Sequence, residues 1–255
     1  MPPRAFCIQT IVGRVHKVVF DMPAQTNRAH PVNRVVVRSL VRTGFQRPAA
    51  SSVEAISRMD VTKLSELVGR MYTMNQTIRP LSLPALPVTG VVTTAKCPPG
   101  DNIGLIKALT LVEKGDVLIV DAQGFQEWCL GGFQLLKFAR DNRGLAGLIV
   151  NGAYRDVSEA QDAGFPVYAT AIAPYSGSKA GPCEVNVPIC CGGVIVQAGD
   201  VVSASNEGIV VIPQRSLQDV IDAIAGANAS NNSDENILKI IFDLANGLDC
   251  DVVSG

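Results

Sequence analysis

An arginine and an aspartate stand side by side, Arg155 and Asp156, shortly after an apolar run that ends at a glycine. That run, residues 147–150, is short and bounded by glycines, which is typical of a buried parallel strand. Because α/β proteins usually place their chemistry at the carboxyl ends of such strands, the pattern predicts a site where an acid and a metal ion could bind. Glu159 follows three residues after Asp156. The same spacing is typical of a helix cap in which Asp156 accepts helix amides, and both interpretations stay open.

A second carboxylate, Asp121, follows another apolar run over residues 117–120. We therefore expect it at the carboxyl end of a second buried strand, where it is a candidate ligand or base. A turn-forming aspartate that accepts hydrogen bonds from local amides explains the same position. The sequence does not choose between these two roles.

A helix is predicted from Leu130 to Gly144, and it opens on Gly131 and Gly132. The first backbone N–H groups of a helix have no partner within it, so the glycines would let a small anion approach them. Close packing of the helix against the sheet is the alternative reason for glycine at these positions.

The 255 residues are enough for one domain with a hydrophobic core, and the composition is 47% hydrophobic and 18% charged. The net charge of -1 creates no strong field for nucleic acid or an anionic membrane, so neither is an expected partner. The longest apolar runs are too short to span a bilayer. The absence of a GxGxxG motif after a strand, and of a P-loop, argues against dinucleotide and ATP binding.

Only two histidines are present, His16 and His30, and both lie within the first thirty residues. Ser-His triads, Cys-His dyads and histidine metal sites are thereby excluded from the rest of the chain. The seven cysteines include no CxxC pair, so they predict neither a disulfide framework nor a zinc module. Their expected role is that of small buried hydrophobic residues in a reducing compartment.

Residues 1–50 carry eight basic side chains and a single acidic one, Asp21. An arginine-rich, acid-poor N-terminus is typical of an organellar transit peptide, and a disordered extension is the alternative. We predict a basic extension over residues 1–57, a linker near residues 48–52, and one core domain with C-terminal helices over residues 58–255. The cytoplasm or the mitochondrial matrix is the expected location.

Seven segments together resemble the RraA-like family, which comprises the regulator of ribonuclease activity A and the 4-hydroxy-4-methyl-2-oxoglutarate aldolases. The resemblance covers roughly residues 58–247. Its carriers in chain order are IRPL, PPGDN, GDVLIVDA, RGLAGLIVNGAYRDVSE, GFPVYA, KAGPCEVNVPICCGGVIVQAGD and EGIVVIP. The resemblance implies an α/β fold of the swivelling β/β/α type, assembled into homotrimers or hexamers with active sites at subunit interfaces.

For the enzymes of the family, the resemblance implies a divalent metal cation, Mg²⁺ or Mn²⁺, and no Schiff base. Asp156 and Glu159 are then the expected metal ligands, while Arg155 is expected to bind the 2-oxo acid substrate and stabilise its enolate. Asp121 is the second catalytic candidate. The other substrate-binding candidates lie at the helix start and in the PPGDN segment: Gly132, Phe133, Gln134, Leu135 and Asn102.

The expected function is a metal-dependent, class II carbon–carbon lyase that acts on 2-oxo acids through a pyruvate enolate. Its reaction would be cleavage of 4-hydroxy-4-methyl-2-oxoglutarate, decarboxylation of oxaloacetate, or both. A non-catalytic adaptor similar to the ribonuclease regulators is the alternative. Phe133 and Gln134 stand where family enzymes commonly have an acid, and Asn151 and Ser205 stand where aspartates are usual. We therefore expect decarboxylation to survive better than aldol cleavage, because it needs only stabilisation of the enolate.

Overall fold

The structure is a computed structural model that describes residues 37–227 and 241–244, together with the backbone of two strands nearer the N-terminus. These strands, β1 (Cys7–Ile11) and β2 (Arg14–Val18), pair antiparallel. They belong to a unit that ends at Val37, and the main compact unit begins at Arg38. Within the described part of the chain, no helix is long and apolar enough to cross a membrane.

A nine-stranded mixed sheet forms the centre of the main unit. Four neighbouring parallel strands lie in its middle: β5 (Val88–Lys96), β6 (Asp116–Asp121), β7 (Gly147–Tyr154) and β8 (Val167–Ile172). Three antiparallel strands flank them: β4 (Arg79–Pro80) beside β8, β12 (Val201–Ser205) beside β5, and β13 (Gly208–Ile212) beside β12. The short strands β3 (Leu40–Val41) and β9 (Glu184–Val185) pair with each other. Strand β9 also pairs antiparallel with the last residues of β5.

Three hydrophobic clusters cover this sheet. One face packs against three helices: α3 (Ile103–Leu109), α4 (Phe133–Arg143) and α5 (Val157–Asp162). The other face packs against a hairpin of β10 (Ile189–Cys191) and β11 (Val194–Val196). A third cluster joins the antiparallel end of the sheet to α1 (Ala50–Ser57), α2 (Val61–Val68) and α6 (Leu217–Ala227).

The central strands are buried on both faces, and this explains why β6 and β7 appear in the sequence as short continuous apolar runs rather than alternating ones. The strands predicted at residues 117–120 and 147–150 are therefore confirmed. The helix predicted from Leu130 to Gly144 is α4, which begins only at Phe133. It ends as expected at Gly144, whose φ of 75° is left-handed and favours glycine.

The N-terminal boundary of the core differs from the prediction at residue 58. The main unit begins at Arg38, and helix α1 starts at Ala50, inside the predicted linker. The Arg47 guanidinium donates hydrogen bonds of 2.6 and 3.0 Å to the carboxylate of Asp116, which is fully buried. Because this pair joins residues far apart in the sequence, composition alone could not reveal that part of the basic segment belongs to the core.

Candidate active site

The end of β7 and the start of α4 meet in a short network of hydrogen bonds. Gly131 and Gly132 directly precede α4. Tyr154, Arg155 and Asp156 lie beside these glycines, at the end of β7 and just after it. Each of these three residues binds one backbone group of the glycine turn: the Tyr154 hydroxyl donates to Gly132 O at 2.9 Å, the Arg155 N–H donates to Gly131 O at 3.2 Å, and Asp156 Oδ2 accepts from Phe133 N at 3.0 Å.

Gly132 is required by the side chains around it. A Cβ atom at this position would lie 1.9 Å from Asp156 Oδ2 and 3.2 Å from Arg155 Nε. The first distance is far below any real contact, so only glycine lets the carboxylate reach the start of the helix. The absence of a side chain thus serves the Arg155–Asp156 pair rather than helix–sheet packing.

Arg155 keeps part of its hydrogen-bonding capacity free. Its Nη1 donates to the Pro174 carbonyl at 2.8 Å, and its Nε lies 3.8 Å from Asp156 Oδ1. This Nε is buried and has no hydrogen-bond partner among the residues that the structure describes. An orphaned buried donor beside a carboxylate is suited to bind an oxygen atom of a ligand.

Asp156 does not play the capping role that its spacing to Glu159 predicted. It occupies the position before α5 with a left-handed φ of 60°, and its side chain forms no hydrogen bond to that helix. The predicted cap of α5 is therefore wrong: the carboxylate turns away and caps α4 instead. Glu159 lies exposed in the first turn of α5.

A hard divalent cation at this site would be held through the Asp156 carboxylate. Mg²⁺ is usually held through one or two carboxylates and keeps several waters. Asp156 Oδ2 is bound by the Phe133 amide, while Oδ1 faces Arg155 Nε, and the side chain is 31% exposed. The described residues form no group of three or more potential ligands, so a cation here would rely on Asp156, on Glu159 and on oxygen atoms from outside this set.

Asp121 lies apart from this pair. Its Oδ1 accepts hydrogen bonds from the Gln123 N–H at 2.8 Å and from Asn151 Nδ2 at 3.1 Å. Ile119, two residues earlier on β6, belongs to the cluster opposite α4, and alternation along the strand directs Asp121 to that same face. The structure therefore places Asp121 as a turn-forming residue, and no described contact joins it to Arg155.

The residues at the four positions that depart from the family pattern, Phe133, Gln134, Asn151 and Ser205, differ in their surroundings. Asn151 donates to Asp121, as described above, and the Ser205 hydroxyl accepts the N–H of Glu207 at 3.1 Å in the turn between β12 and β13. At the start of α4, Phe133 is buried within the hydrophobic cluster and Gln134 is exposed. Leu135 is half-buried, and its N–H donates to Gly132 O at 3.1 Å.

Asn102 contacts the backbone just before the glycine turn. Its Nδ2 donates to the carbonyl of Leu130 at 2.8 Å, and the side chain is 1% exposed. Its Oδ1 is buried without a partner in the described part of the chain. Asn102 therefore contacts the backbone just before the turn rather than Arg155 or Asp156.

The neighbouring residue Asp101 anchors the loop of small residues that follows β8. Its Oδ1 accepts the N–H of Ile103, the first residue of α3, at 2.9 Å. Its Oδ2 accepts three further hydrogen bonds from this loop: Ser178 Oγ at 2.7 Å, Ala180 N at 2.6 Å and Gly181 N at 3.1 Å. Burial favours the neutral acid, but these bonds outweigh it and lower the pKa of Asp101. In the same loop Lys179 is exposed and points to the Gly177 carbonyl at 3.4 Å.

Tyr154 is a site residue that the sequence did not reveal. It is 1% exposed, and burial raises the pKa of its hydroxyl well above the ordinary tyrosine value. The hydroxyl therefore stays protonated and acts as a hydrogen-bond donor near neutral pH. The one available signal was its place directly before Arg155, where a large side chain with a polar tip must find a partner once it is buried.

The chain is similar in sequence to two proteins that carry the same aldolase name. A protein of Halalkalibacterium halodurans named "Putative 4-hydroxy-4-methyl-2-oxoglutarate aldolase" is 29% identical over 178 residues, which is 70% of this chain and 84% of the relative. A protein of the same name from Ectopseudomonas mendocina is 38% identical over 125 residues, covering 49% of this chain and 76% of the relative.

Solved structures show the same fold. Streptomyces coelicolor RraAS2, described as an unusual member of the RNase ES inhibitor RraA protein family, matches with a TM-score of 0.63 and 29% identity over 73% of this chain and 96% of its own. The RNA-processing inhibitor RraA from Thermus thermophilis matches with a TM-score of 0.55 and 29% identity, covering 61% of this chain and 93% of its own. The family model described as RraA-like, Aldolase/RraA, matches residues 55–211. The chain therefore belongs to the RraA-like family and has its α/β fold.

Proposed function

We propose that this protein is a carbon–carbon lyase that acts on 2-oxo acids and uses a divalent cation. Its reactions would be decarboxylation of oxaloacetate and cleavage of 4-hydroxy-4-methyl-2-oxoglutarate. One observation carries the proposal: Arg155 and Asp156 lie against the glycine-led start of α4, where Asp156 Oδ2 accepts the Phe133 N–H. The names of the two aldolase relatives support the same reaction class.

The start of α4 would bind the carboxylate of the substrate. The first N–H groups of a helix lack partners within it, and the helix dipole favours negative charge at that end. Helix α4 has no acidic residue in its own first turn, but the Asp156 carboxylate accepts the Phe133 N–H there, so a cation held by Asp156 would offset its repulsion of the substrate anion. Gly132 leaves room for Asp156 because it carries no Cβ.

Arg155 would stabilise the charge that develops on the 2-oxo oxygen when the bond between C3 and C4 breaks. A guanidinium has five N–H donors, and the Nε of Arg155 is unpaired among the described residues. Groups that meet developing charge in this way contribute about 3 kcal/mol to the barrier, or about a hundredfold in rate. Asp156, together with Glu159, would hold the divalent cation, which supplies Lewis-acid polarisation of the substrate carbonyl.

The two reactions make different demands on the protein. Aldol cleavage begins with removal of a hydroxyl proton and needs an acceptor, whereas decarboxylation needs only stabilisation of the enolate. Phe133 stands where an acid would supply that acceptor, and Tyr154 keeps its proton because burial raises its pKa. We therefore expect oxaloacetate decarboxylation to be the faster reaction, and comparable rates for the two acids would contradict this ranking.

A ribonuclease-regulator-like adaptor is the second candidate. The similarity to an RNA-processing inhibitor and to an unusual member of the RNase ES inhibitor RraA family favours it, as does the apolar residue at position 133. An adaptor would need neither the cation nor the unpaired Arg155 Nε.

The deciding experiment measures pyruvate release from both acids by the purified protein, with Mg²⁺ or Mn²⁺ against EDTA. Arg155→Ala is the test variant. Arg79→Ala is the matched control, because the exposed Arg79 also donates from its guanidinium to a backbone carbonyl, Gln76 O at 2.8 Å. We expect metal-dependent release that Arg155→Ala lowers about a hundredfold and Arg79→Ala leaves unchanged. Release no faster than the metal-only blank would overturn the proposal and favour the adaptor.

A further inference from the structure

We propose that Tyr154 is a positioning residue of the active site: its hydroxyl fixes the peptide group between Gly132 and Phe133, holds the Phe133 N–H against Asp156 Oδ2, and thereby keeps the Asp156 carboxylate in place. The inference rests on the proposed function. It goes beyond that proposal by assigning a role to a side chain that would not touch the substrate.

The geometry of one peptide group carries the inference. The Gly132 carbonyl and the Phe133 N–H belong to the same planar unit, so any rotation of that unit moves both. Tyr154 Oη binds the oxygen at 2.9 Å, and Asp156 Oδ2 binds the N–H at 3.0 Å. The peptide group is therefore held from both of its polar ends by residues that come from the end of β7.

This turn needs an external constraint because it is built from two adjacent glycines. Glycine has the widest range of backbone conformations, so Gly131 and Gly132 cannot fix their own peptide planes. Tyr154 is packed within the hydrophobic cluster between the sheet and α4. Its bond to Gly132 O therefore fixes the turn relative to β7. Arg155 adds a second restraint through its N–H bond to Gly131 O.

The bond from Tyr154 contributes to orientation more than to stability. The Gly132 carbonyl also accepts the N–H of Leu135 at 3.1 Å, so removing the phenol leaves this oxygen with a partner. Phenylalanine keeps the ring and its packing. Tyr154→Phe should consequently fold normally while its glycine turn samples other orientations.

The chain offers a matched control in Tyr168. This residue is also 1% exposed, and its hydroxyl donates to a backbone carbonyl, Leu86 O, at 2.8 Å. It packs in the cluster on the opposite face of the sheet from α4. Tyr168→Phe therefore removes the same chemical group in the same kind of environment, away from the site.

The test compares the full chain with Tyr154→Phe and Tyr168→Phe. Three quantities are measured: thermal unfolding, kcat and KM for oxaloacetate with Mg²⁺, and the calorimetric affinity for pyruvate with Mg²⁺. We expect both variants to unfold alike. For Tyr154→Phe alone, we expect KM to rise and pyruvate affinity to fall about fivefold, with a smaller change in kcat, because the Asp156 carboxylate that would hold Mg²⁺ for both acids is positioned less firmly.

The outcomes separate the two proposals. An active wild type whose Tyr154→Phe variant has unchanged constants overturns the positioning role alone. Equal losses in both variants, in step with their unfolding temperatures, also overturn it, because the effect would then be one of stability. A wild type that neither releases nor binds pyruvate overturns the proposed function and this inference with it.

Discussion

Asp156 Oδ2 accepts the N–H of Phe133 at 3.0 Å, so the carboxylate proposed to hold a cation also caps the helix proposed to bind the substrate. The two roles differ in what they need from the side chain. A helix cap needs one acceptor oxygen, which asparagine also provides, whereas a cation needs negative charge.

Asp156→Asn should therefore separate the two roles. We expect the free energy of unfolding to stay within about 1 kcal/mol of the wild type, because the cap is kept. Metal-dependent pyruvate release should fall at least about a hundredfold. Asp162→Asn, an exposed carboxylate on the same helix α5, should change neither quantity. Full activity in Asp156→Asn would exclude the proposed cation role.

Gly132→Ala tests the close approach of Asp156 to the start of α4. The backbone φ of −127° suits any residue, so the effect must come from the new Cβ, which would lie 1.9 Å from Asp156 Oδ2. We expect activity to fall at least about a hundredfold as the carboxylate is displaced, with about 1 kcal/mol of stability lost with the cap. Gly44→Ala, with nothing within 4 Å of its new Cβ, is the control for both assays.

Arg47→Ala should destabilise the fold. The carboxylate of Asp116 has 0% exposure and would lose its cationic partner, keeping only Thr93 Oγ1 and the Glu113 N–H. Breaking such a pair costs about 3 kcal/mol, which urea unfolding measures directly. Arg58→Ala removes only an exposed pair with Glu54 and should cost less than about 1 kcal/mol. Similar losses in the two variants would contradict the importance of the buried pair.

The same contact predicts the outcome of truncation. A chain that begins at residue 52 lacks β3 and Arg47, whereas one that begins at residue 38 keeps both. The shorter chain should unfold at lower urea concentration, by an amount at least as large as the loss in Arg47→Ala. Equal midpoints would show that this segment adds nothing to the core.

Asp101→Ala should lose stability in a pH-dependent manner. The carboxylate accepts four hydrogen bonds and its pKa lies below the usual value of 3.8, so the folded state favours the ionised form. This contribution is complete above the unfolded pKa and disappears as the pH falls through the folded one. We expect a deficit of about 2 kcal/mol at pH 7 that shrinks below about pH 4. A deficit that is the same at pH 7 and pH 3 would show that the carboxylate charge does not matter.

The sequence predicts what depends on local pattern. Buried parallel strands appear as short apolar runs, and the glycines at the two ends of α4 are evident in the sequence itself. Contacts between distant residues are a different matter. The pairing of Arg47 with Asp116 was hidden within a basic segment, and that segment was therefore assigned to an extension. The spacing of Asp156 and Glu159 suggested a cap for α5, but tertiary contact with Phe133 turned the carboxylate toward α4.

Tyr154 shows the same limit at the site. Its place before Arg155 could be noted from the sequence, but its bond to Gly132 depends on how α4 packs against β7. Hydrogen bonds from side chains to distant backbone groups leave no periodic pattern. Residues with recognisable chemistry could be named as candidates from the sequence, whereas the residues that hold them in place could not.

The order of strands in the sheet also affects how this protein is made. The second half of β5 pairs with β6, whereas its first half, residues 88–91, pairs with β12, which lies more than a hundred residues later in the chain. At ribosomal rates of about 5–20 residues per second, this strand waits roughly 5–20 seconds for its partner to be synthesised. During that time its outer edge presents unpaired backbone groups to other nascent chains. Synthesis of residues 201–204 therefore allows this edge to be covered, and we expect variants that weaken β12 to reduce the yield of newly made protein more than they change the folded one.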